Sequence, residues 1–200
     1  MAADRLAAQV PLAAASSKPA TARCFVALLP EPAWCRVAWR ALYSWPEARR
    51  FRVVSWRQWH LTLAFLGDVS LTLLPDLAAA VADLPISPAE PLLCPETAYW
   101  ARARVIVQKW TGVSEQWYAY VAAVREALRR ITPVADAVAW VPHVTLVRGV
   151  REPPRALPSI PPCAWRQRTK PLLFRSWLKA SGAYYEKITL QSGSRQLDAR

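Results

Sequence analysis

The sequence predicts an α+β domain of two pseudo-symmetric lobes, each an antiparallel sheet with one or two helices outside and a cleft between the lobes. Segments with β character outnumber those with helical spacing, and the helices occur singly between groups of strands. The same tetrapeptide pattern stands once in each half of the chain, at His60 and at His143. A length of 200 residues with 54% hydrophobic side chains is enough for one core of ordinary size.

The first half of the chain predicts three strands and two helices, which we expect to form one lobe. Strands are predicted over residues 23–29, 51–54 and 59–66. Helices are predicted over residues 34–45 and 73–84, where apolar side chains recur at helical spacing and a proline follows. Gly67-Asp68 closes the third strand. Within that strand Leu61, Leu63 and Phe65 are expected to point to a core, because alternate strand residues share a face.

The second half repeats this pattern and is expected to form the other lobe. Extended segments are predicted over residues 92–99, 104–110 and 143–147. A long amphipathic helix is predicted from its N-cap, Ser114, to Ile131. After a proline-rich link, residues 172–178 and 184–190 predict a hairpin around Ser181-Gly182.

Composition divides the chain into a flexible Ala/Pro/Ser leader over residues 1–21, one two-lobed domain over residues 22–192 and a C-terminal tail over residues 193–200. The apolar run of the leader is interrupted by Gln9 and Pro11, so it is too short for a secretory core or a membrane span. The four cysteines show no C-x-x-C spacing, which is typical of reduced thiols. We therefore expect a cytoplasmic monomer with no membrane partner.

The charge balance indicates an anionic partner. Lys and Arg number 26 against 14 Asp and Glu, for a net charge of +12. Such a balance in a small domain fits RNA, DNA, a phosphorylated small molecule or a membrane surface, and the alternative is a solvated, arginine-rich surface. Some of the 11 tryptophans lie beside a basic residue, as in Trp56-Arg57, and could stack on bases, whereas most must be buried.

Several nucleotide-binding and catalytic motifs are absent from the sequence. The five glycines stand apart, so neither G-x-G-x-x-G nor G-x-x-x-x-G-K-[ST] can be written, and G-x-S-x-G is missing too. With two histidines in the chain and no carboxylate beside them in either tetrapeptide, a metal-assisted hydrolase is poorly supported. We expect no metal and no cofactor.

Both histidines occur in the pattern His-x-Thr-Leu: His60-Leu-Thr-Leu63 and His143-Val-Thr-Leu146. The chance that both would fall two places before one of the four Thr-Leu pairs is about 3 in 10,000. In a strand, residues i and i+2 face the same way, so each histidine shares a face with its threonine. Two strands from two lobes can thus present two imidazoles and two hydroxyls across one cleft.

This set of groups favours acid–base chemistry on a phosphodiester. Imidazole titrates near neutral pH, so one ring can accept a proton from water while the other donates one to a leaving oxygen. Threonine hydroxyls can hold the non-bridging oxygens of an anion. A strained cyclic phosphate fits best, because it needs no metal to supply the driving force.

The paired motifs, 83 positions apart, resemble those of the two-histidine phosphoesterases. The closest resemblance is to the bacterial RNA 2′,3′-cyclic phosphodiesterases, also called 2′-5′ RNA ligase-like proteins, and it covers most of residues 22–192. Residues 59–67 (WHLTLAFLG) are similar to the first family motif and residues 141–148 (VPHVTLVR) to the second. Residues 23–27, 99–105 and 184–190 look like the opening and later strands of the family.

The resemblance implies metal-independent opening of a 2′,3′-cyclic phosphate on an RNA end or a nucleotide, which leaves a 2′-phosphate. It assigns His60 as proton donor and His143 as proton acceptor, with Thr62 and Thr145 on the phosphate. Family members often have an arginine at the position of Arg148. Strand alternation, however, sends Arg148 to the face opposite His143, unless a bulge turns it back.

Phe25, on the opening strand, could line a base pocket or belong to the core. Two other functions stay open on the sequence. One is a basic RNA-binding module that forms no product, and the other is a 2′-5′ phosphodiesterase or ligase of the same superfamily. Trp56 and Arg57 are further candidates for RNA contact.

Overall fold

The computed structural model describes residues 20–135, 139–179 and 182–189, and within them the predicted α+β class is confirmed. The strands are β1 (Thr21–Leu28), β2 (Arg52–Val53), β3 (Leu61–Ser70), β4 (Leu93–Trp100), β5 (Val105–Gly112), β6 (His143–Arg148), β7 (Leu172–Lys179) and β8 (Gly182–Ile188). The helices are α1 (Pro32–Ser44), α2 (Leu74–Asp83) and α3 (Glu115–Arg129). Nearly all of the leader, the whole tail, Ser181 and Leu190 lie outside the described residues.

The strands form two antiparallel sheets of four strands, in the orders β3-β1-β7-β8 and β2-β6-β5-β4. The assignment of each half of the chain to one lobe is therefore wrong. The hairpin β7-β8 pairs with β1 in the first sheet, and β2 pairs with β6 in the second. Every strand offers equivalent backbone donors and acceptors on both edges, so nothing in local sequence dictates which lobe a strand completes.

The helices follow their predicted positions and bury one face each. Helix α1 starts at Pro32, whose missing N–H costs nothing in a first turn, and buries Trp34, Ala38 and Leu42. Helix α3 buries the predicted apolar stripe. Ser114 does stand at the N-cap of α3, but its hydroxyl caps no backbone N–H and has no partner in the described part of the chain, so the expected side-chain cap is wrong.

Tryptophans attach the proline-rich segment, residues 151–171, to the core. The indole N–H groups of Trp34, Trp45 and Trp110 donate to the carbonyls of Pro161, Ala156 and Cys163, at 3.3, 2.9 and 2.7 Å. Proline has no N–H, so a proline-rich segment cannot form a complete backbone ladder, but its carbonyls still accept. This explains why many of the tryptophans are buried rather than available to nucleic acid.

Two bulges in β3 change which of its side chains face the cleft. Opposite β1, the register steps over Leu63 and again over Leu66, and Gly67 follows the second step with φ +67°. Each extra residue reverses the alternation of side chains. Gly67 supplies the left-handed conformation that the second bulge uses, which other residues adopt only with strain.

The same bulges overturn the expected direction of Phe65. Thr62 pairs with Ala27 and Phe65 with Phe25, so all four share the cleft face of the sheet. The Phe65 side chain is 52% exposed, whereas Leu61 and Leu63 are buried as expected. The prediction that Phe65 points to the core is wrong, because it assumed an unbroken strand.

Candidate active site

A cavity of about 310 Å³ lies between the two sheets and receives side chains from both. Six residues singled out from the sequence line it together: Phe25, His60, Thr62, His143, Thr145 and Arg148. The two motifs, far apart in the chain, thus meet at one place. This arrangement is the geometric condition for two histidines to act on the same atom.

His60 is positioned by the turn that precedes β3. Residues Trp56–Gln58 form one 3₁₀ turn, and the Gln58 carbonyl lies 2.7 Å from Nδ1 of His60. Thr62 follows on the same face and is 9% exposed. Its backbone carbonyl accepts the indole N–H of Trp140 at 2.9 Å, which joins the first motif to the segment just before the second.

His143 is held in the same way as His60. It is the first residue of β6, and the carbonyl of Val141, two residues earlier, lies 2.8 Å from its Nδ1. A carbonyl can only accept, so Nδ1 carries the proton in both rings and Nε2 is the unprotonated nitrogen of each neutral imidazole. The fold therefore presents two equivalent proton acceptors at Nε2, and one must be protonated before it can serve as an acid.

Aromatic rings fix the orientation of both imidazoles. The Phe25 ring lies 4.7 Å from that of His60, and the Tyr185 ring meets His60 edge-on at 5.0 Å. Trp100 lies 4.6 Å from the ring of His143. Each imidazole is thus restrained both by a backbone hydrogen bond and by an aromatic contact, which keeps its Nε2 in place.

Arg148 lines the cavity because β6 contains a bulge. Opposite β5, Val147 pairs with Ile106 and Thr145 with Val107, so the register steps over Leu146. Leu146 and Val147 are both fully buried, and the alternation resumes with Arg148 on the side of His143. Arg148 Nη2 donates to the Tyr185 hydroxyl at 3.3 Å. Strand alternation alone would have placed this guanidinium on the other face.

Phe25 combines the two roles that the sequence left open. Its side chain is 4% exposed and stacks on Phe174 at 5.3 Å, as a core residue does. It also lines the cavity beside His60. Phe25 therefore forms the floor of the cleft, and its ring packs against that of His60.

Burial lowers the pKa of both histidines. The pKa of His60 falls to about 4, first because the ring is removed from water and further because Arg148 and His143 are close; its hydrogen bond to Gln58 opposes this. Burial also lowers the pKa of His143, and Arg148 lowers it further, against the hydrogen bond to Val141. Both rings are therefore neutral at pH 7 in the empty site.

The thiol of Cys24 is not activated as a nucleophile. Cys24 lines the cavity, but burial raises the pKa of this thiol to about 11, so the thiolate is scarce near neutral pH. All four cysteines are free thiols. Within the described ranges, no three His, Cys, Asp or Glu side chains group in a way that could hold a metal ion. No described helix is long and apolar enough to cross a membrane.

The lowered pKa values predict a simple titration. Since the chain has two histidines, its proton NMR spectrum should contain two imidazole Hε1 signals, one titrating near pH 4 for His60 and one below 6.5 for His143. The unfolded chain binds a proton at His60 between pH 6.5 and 4 when the folded chain does not, so the free energy of unfolding should fall over that window as pH drops. A signal titrating at or above 6.5 in the free protein would contradict this picture.

The structure adds three site residues that the sequence reasoning missed: Tyr185, Trp100 and Phe65. Tyr185 and Trp100 stand in segments already similar to family strands, 184–190 and 99–105, but nothing local showed that their rings meet the histidines. Phe65 lies inside the first motif and was assigned to the wrong face. The position of Tyr185 depends on the pairing of β8 with β7, and Trp100 is the last residue of β4. The position of Phe65 depends on the bulges of β3.

Comparison with known proteins shows which family and folds the chain is similar to. Residues 38–107, which contain the first motif, match the family model described as LigT-like phosphoesterase. Escherichia coli LigT in complex with 3′-AMP has the same fold, with a TM-score of 0.67 and 24% identity over 85% of this chain and 97% of that chain. Its complex with phosphate gives 0.63 and 24%, over 84% and 95%.

A protein from a second organism has this fold as well. The Thermus thermophilus protein TT0787 superposes with a TM-score of 0.65 and 25% identity, over 83% of this chain and 94% of that chain. No curated protein sequence matches the chain.

Proposed function

We propose that this chain, which resembles the LigT-like phosphoesterases in fold and in the sequence of residues 38–107, opens 2′,3′-cyclic phosphates on RNA ends or nucleotides to 2′-phosphates. The observation that carries the proposal is the pair of imidazoles in one cavity, each with Nδ1 at the carbonyl two residues before it. This leaves two Nε2 atoms for one proton acceptor and one proton donor.

The reaction needs one proton to be taken up and one to be delivered. Water attacks phosphorus and passes its proton to Nε2 of neutral His143, while the bond from phosphorus to the 3′ oxygen breaks. Protonated His60 gives its Nε2 proton to that leaving oxygen, so the product carries a 3′-hydroxyl and a 2′-phosphate. The assignment of His60 as the acid and His143 as the base follows the family resemblance. Both rings bond a backbone carbonyl through Nδ1 in the same way, which is compatible with this assignment.

The remaining side chains would hold the phosphate. Arg148 can donate two charge-assisted hydrogen bonds to non-bridging oxygens. The hydroxyls of Thr62 and Thr145 project from the same faces as the histidines and are neutral donors for the charge that develops on phosphorus oxygens. Such fixed donors in a partly dry cleft stabilise the transition state more than water does.

Binding of the anionic substrate favours the protonated form of the histidine that acts as the acid. Without a bound anion, Arg148 lowers the pKa of both histidines. A bound phosphate anion neutralises that guanidinium and lies beside both rings, so it raises their pKa values. Adding inorganic phosphate or a nucleoside 2′-monophosphate should therefore move both imidazole NMR signals to higher titration midpoints.

Turnover in the presence of a chelator tests the proposed function. The protein should convert a nucleoside 2′,3′-cyclic monophosphate to the 2′-monophosphate at the same rate with and without EDTA, followed by chromatography of the products. Loss of activity in EDTA would overturn the metal-independent mechanism. Exclusive formation of the 3′-phosphate would contradict the direction of ring opening, and joining or cleavage of 2′-5′ linkages instead would assign the other activity of the superfamily.

A further inference from the structure

A second cavity, of about 470 Å³, lies on the other side of the turn that holds His60. Trp56 and Arg57 line this cavity, whereas the carbonyl of Gln58, the last residue of the same turn, bonds His60. Gln58 also donates from Nε2 to the carbonyl of Ala183, which lines the catalytic cavity. The turn Trp56–Gln58 therefore borders the second cavity and is joined through Gln58 to two residues that line the catalytic cavity.

The second cavity carries groups that suit a nucleobase. The Arg57 guanidinium lies over the ring of Trp56, with its Cζ 4.8 Å from the ring centre, and Arg57 is exposed to solvent. Leu29 and Leu172 supply apolar surface, and Lys170 supplies a second cation. Aromatic and guanidinium planes are the surfaces on which unpaired bases stack, and they accept any base because each has a π face.

Apolar surface connects the two cavities along the first sheet. Leu172, in the second cavity, packs against the cluster of Phe25, Ala27 and Phe174, and Phe25 also lines the catalytic cavity. The distance from Phe25 to Leu29 along β1 is about 13 Å. A single strand spans this distance with roughly four nucleotides when they are stacked, and with fewer when the strand is extended. Lys187 stands opposite Phe174 on β8 and is exposed beside this path.

The charged side chains that line the two cavities have one sign. Arg148 lies in the first cavity, and Arg57 and Lys170 lie in the second. No Asp or Glu among the described residues lines either cavity. A strand of phosphates is the polyanion with regular spacing and flat bases that matches both the cations and the stacking surface.

We propose that the second cavity binds an upstream base of an RNA strand whose cyclic phosphate end lies in the catalytic cavity, so that the substrate is an RNA oligonucleotide rather than a free cyclic nucleotide. The inference rests on the proposed function for the identity of the bound end. The Trp56–Arg57 pair is the stacking platform, with the exposed guanidinium between the indole and the base, where it also offers charge to the backbone; Lys170 lines the same cavity.

The test compares substrates of two lengths. For wild type, kcat/KM for a 5′-labelled RNA of about six nucleotides ending in a 2′,3′-cyclic phosphate should exceed that for a cyclic mononucleotide. The ratio of the two values should fall about 5- to 150-fold in Trp56→Ala, as for loss of one stacked base. In Arg57→Gln the ratio should fall several-fold, and binding should depend less steeply on salt.

Arg40→Gln is the matched control, because Arg40 is exposed on α1 and lines neither cavity. Circular dichroism checks that each variant is folded. Affinity for the same RNA ending in a 2′-phosphate, measured by fluorescence anisotropy, gives a readout that requires no turnover. A wild-type ratio near one, or a ratio and affinity that do not change in Trp56→Ala, would overturn the inference. Absence of turnover on both substrates with RNA affinity still lost in Trp56→Ala would instead overturn the proposed function alone.

Discussion

We expect His60→Asn and His143→Asn each to lower kcat on a 2′,3′-cyclic phosphate by about 10²- to 10⁴-fold, the usual contribution of a positioned proton-transfer group. Asparagine places an N–H donor close to the position of Nδ1, so the hydrogen bonds to Gln58 and Val141 can persist. What the substitution removes is Nε2, the atom that the mechanism uses. Steady-state kinetics with folded protein, verified by its unfolding curve, gives the comparison.

The variant that combines His60→Asn with His143→Asn tests whether the two histidines act in the same step. Two groups that act in one transition state are not additive, so the combined substitution should cost little more than the worse single one. The bell-shaped pH dependence of kcat/KM in wild type should lose one limb in each single variant. Retention of more than about a tenth of kcat by either single variant would show that the histidines do not share the proton transfers proposed.

Arg148→Met should reduce kcat/KM by about 10- to 150-fold, because a charge-assisted hydrogen bond to an ion contributes about 1.5–3 kcal/mol. The same substitution removes the positive charge that lowers the pKa of His60 and His143, so both imidazole signals should titrate at higher pH than in wild type. Arg148→Lys keeps the charge and loses the forked geometry, so it should recover the pKa values but only part of the rate.

Arg52→Met is the control for charge. Arg52 pairs directly with Arg148 across β2 and β6 but lines neither cavity described above. An equal fall in kcat/KM in both variants would mean that general positive charge matters and that Arg148 has no specific place on the phosphate. If the titration midpoints of both histidines were unchanged in Arg148→Met, the guanidinium of Arg148 would not be a cause of their lowered pKa values.

Much of the candidate active site follows from local sequence. The spacing His-x-Thr places each pair of side chains on one face, and a duplicated pattern implies two matching strands. This explains why the sequence alone predicts His60, Thr62, His143 and Thr145 as site residues. Their meeting in one cavity was a consequence expected of two facing sheets, and the structure places them so.

Residue spacing does not predict which face of the sheet the side chains of Phe65 and Arg148 occupy. Both depend on bulges, at Leu63 and Leu66 in β3 and at Leu146 in β6. A bulge inserts one residue against the partner strand, and an apolar residue that is skipped looks like any other apolar residue of a buried strand. Gly67, with its positive φ, was a signal for one of them, although it was interpreted only as a turn.

Sequence by itself determined the class of fold, the positions of most helices and strands and the four motif residues, because these depend on periodicity and spacing within a few residues of each other. Only the tertiary structure decided which strands share a sheet, that Tyr185 and Trp100 hold the site, that Arg148 faces His143 and that Trp56 and Arg57 border a second cavity. These features arise from pairing between residues distant in the chain and from burial. The free energy of each contact depends on its partner, so no local pattern encodes it.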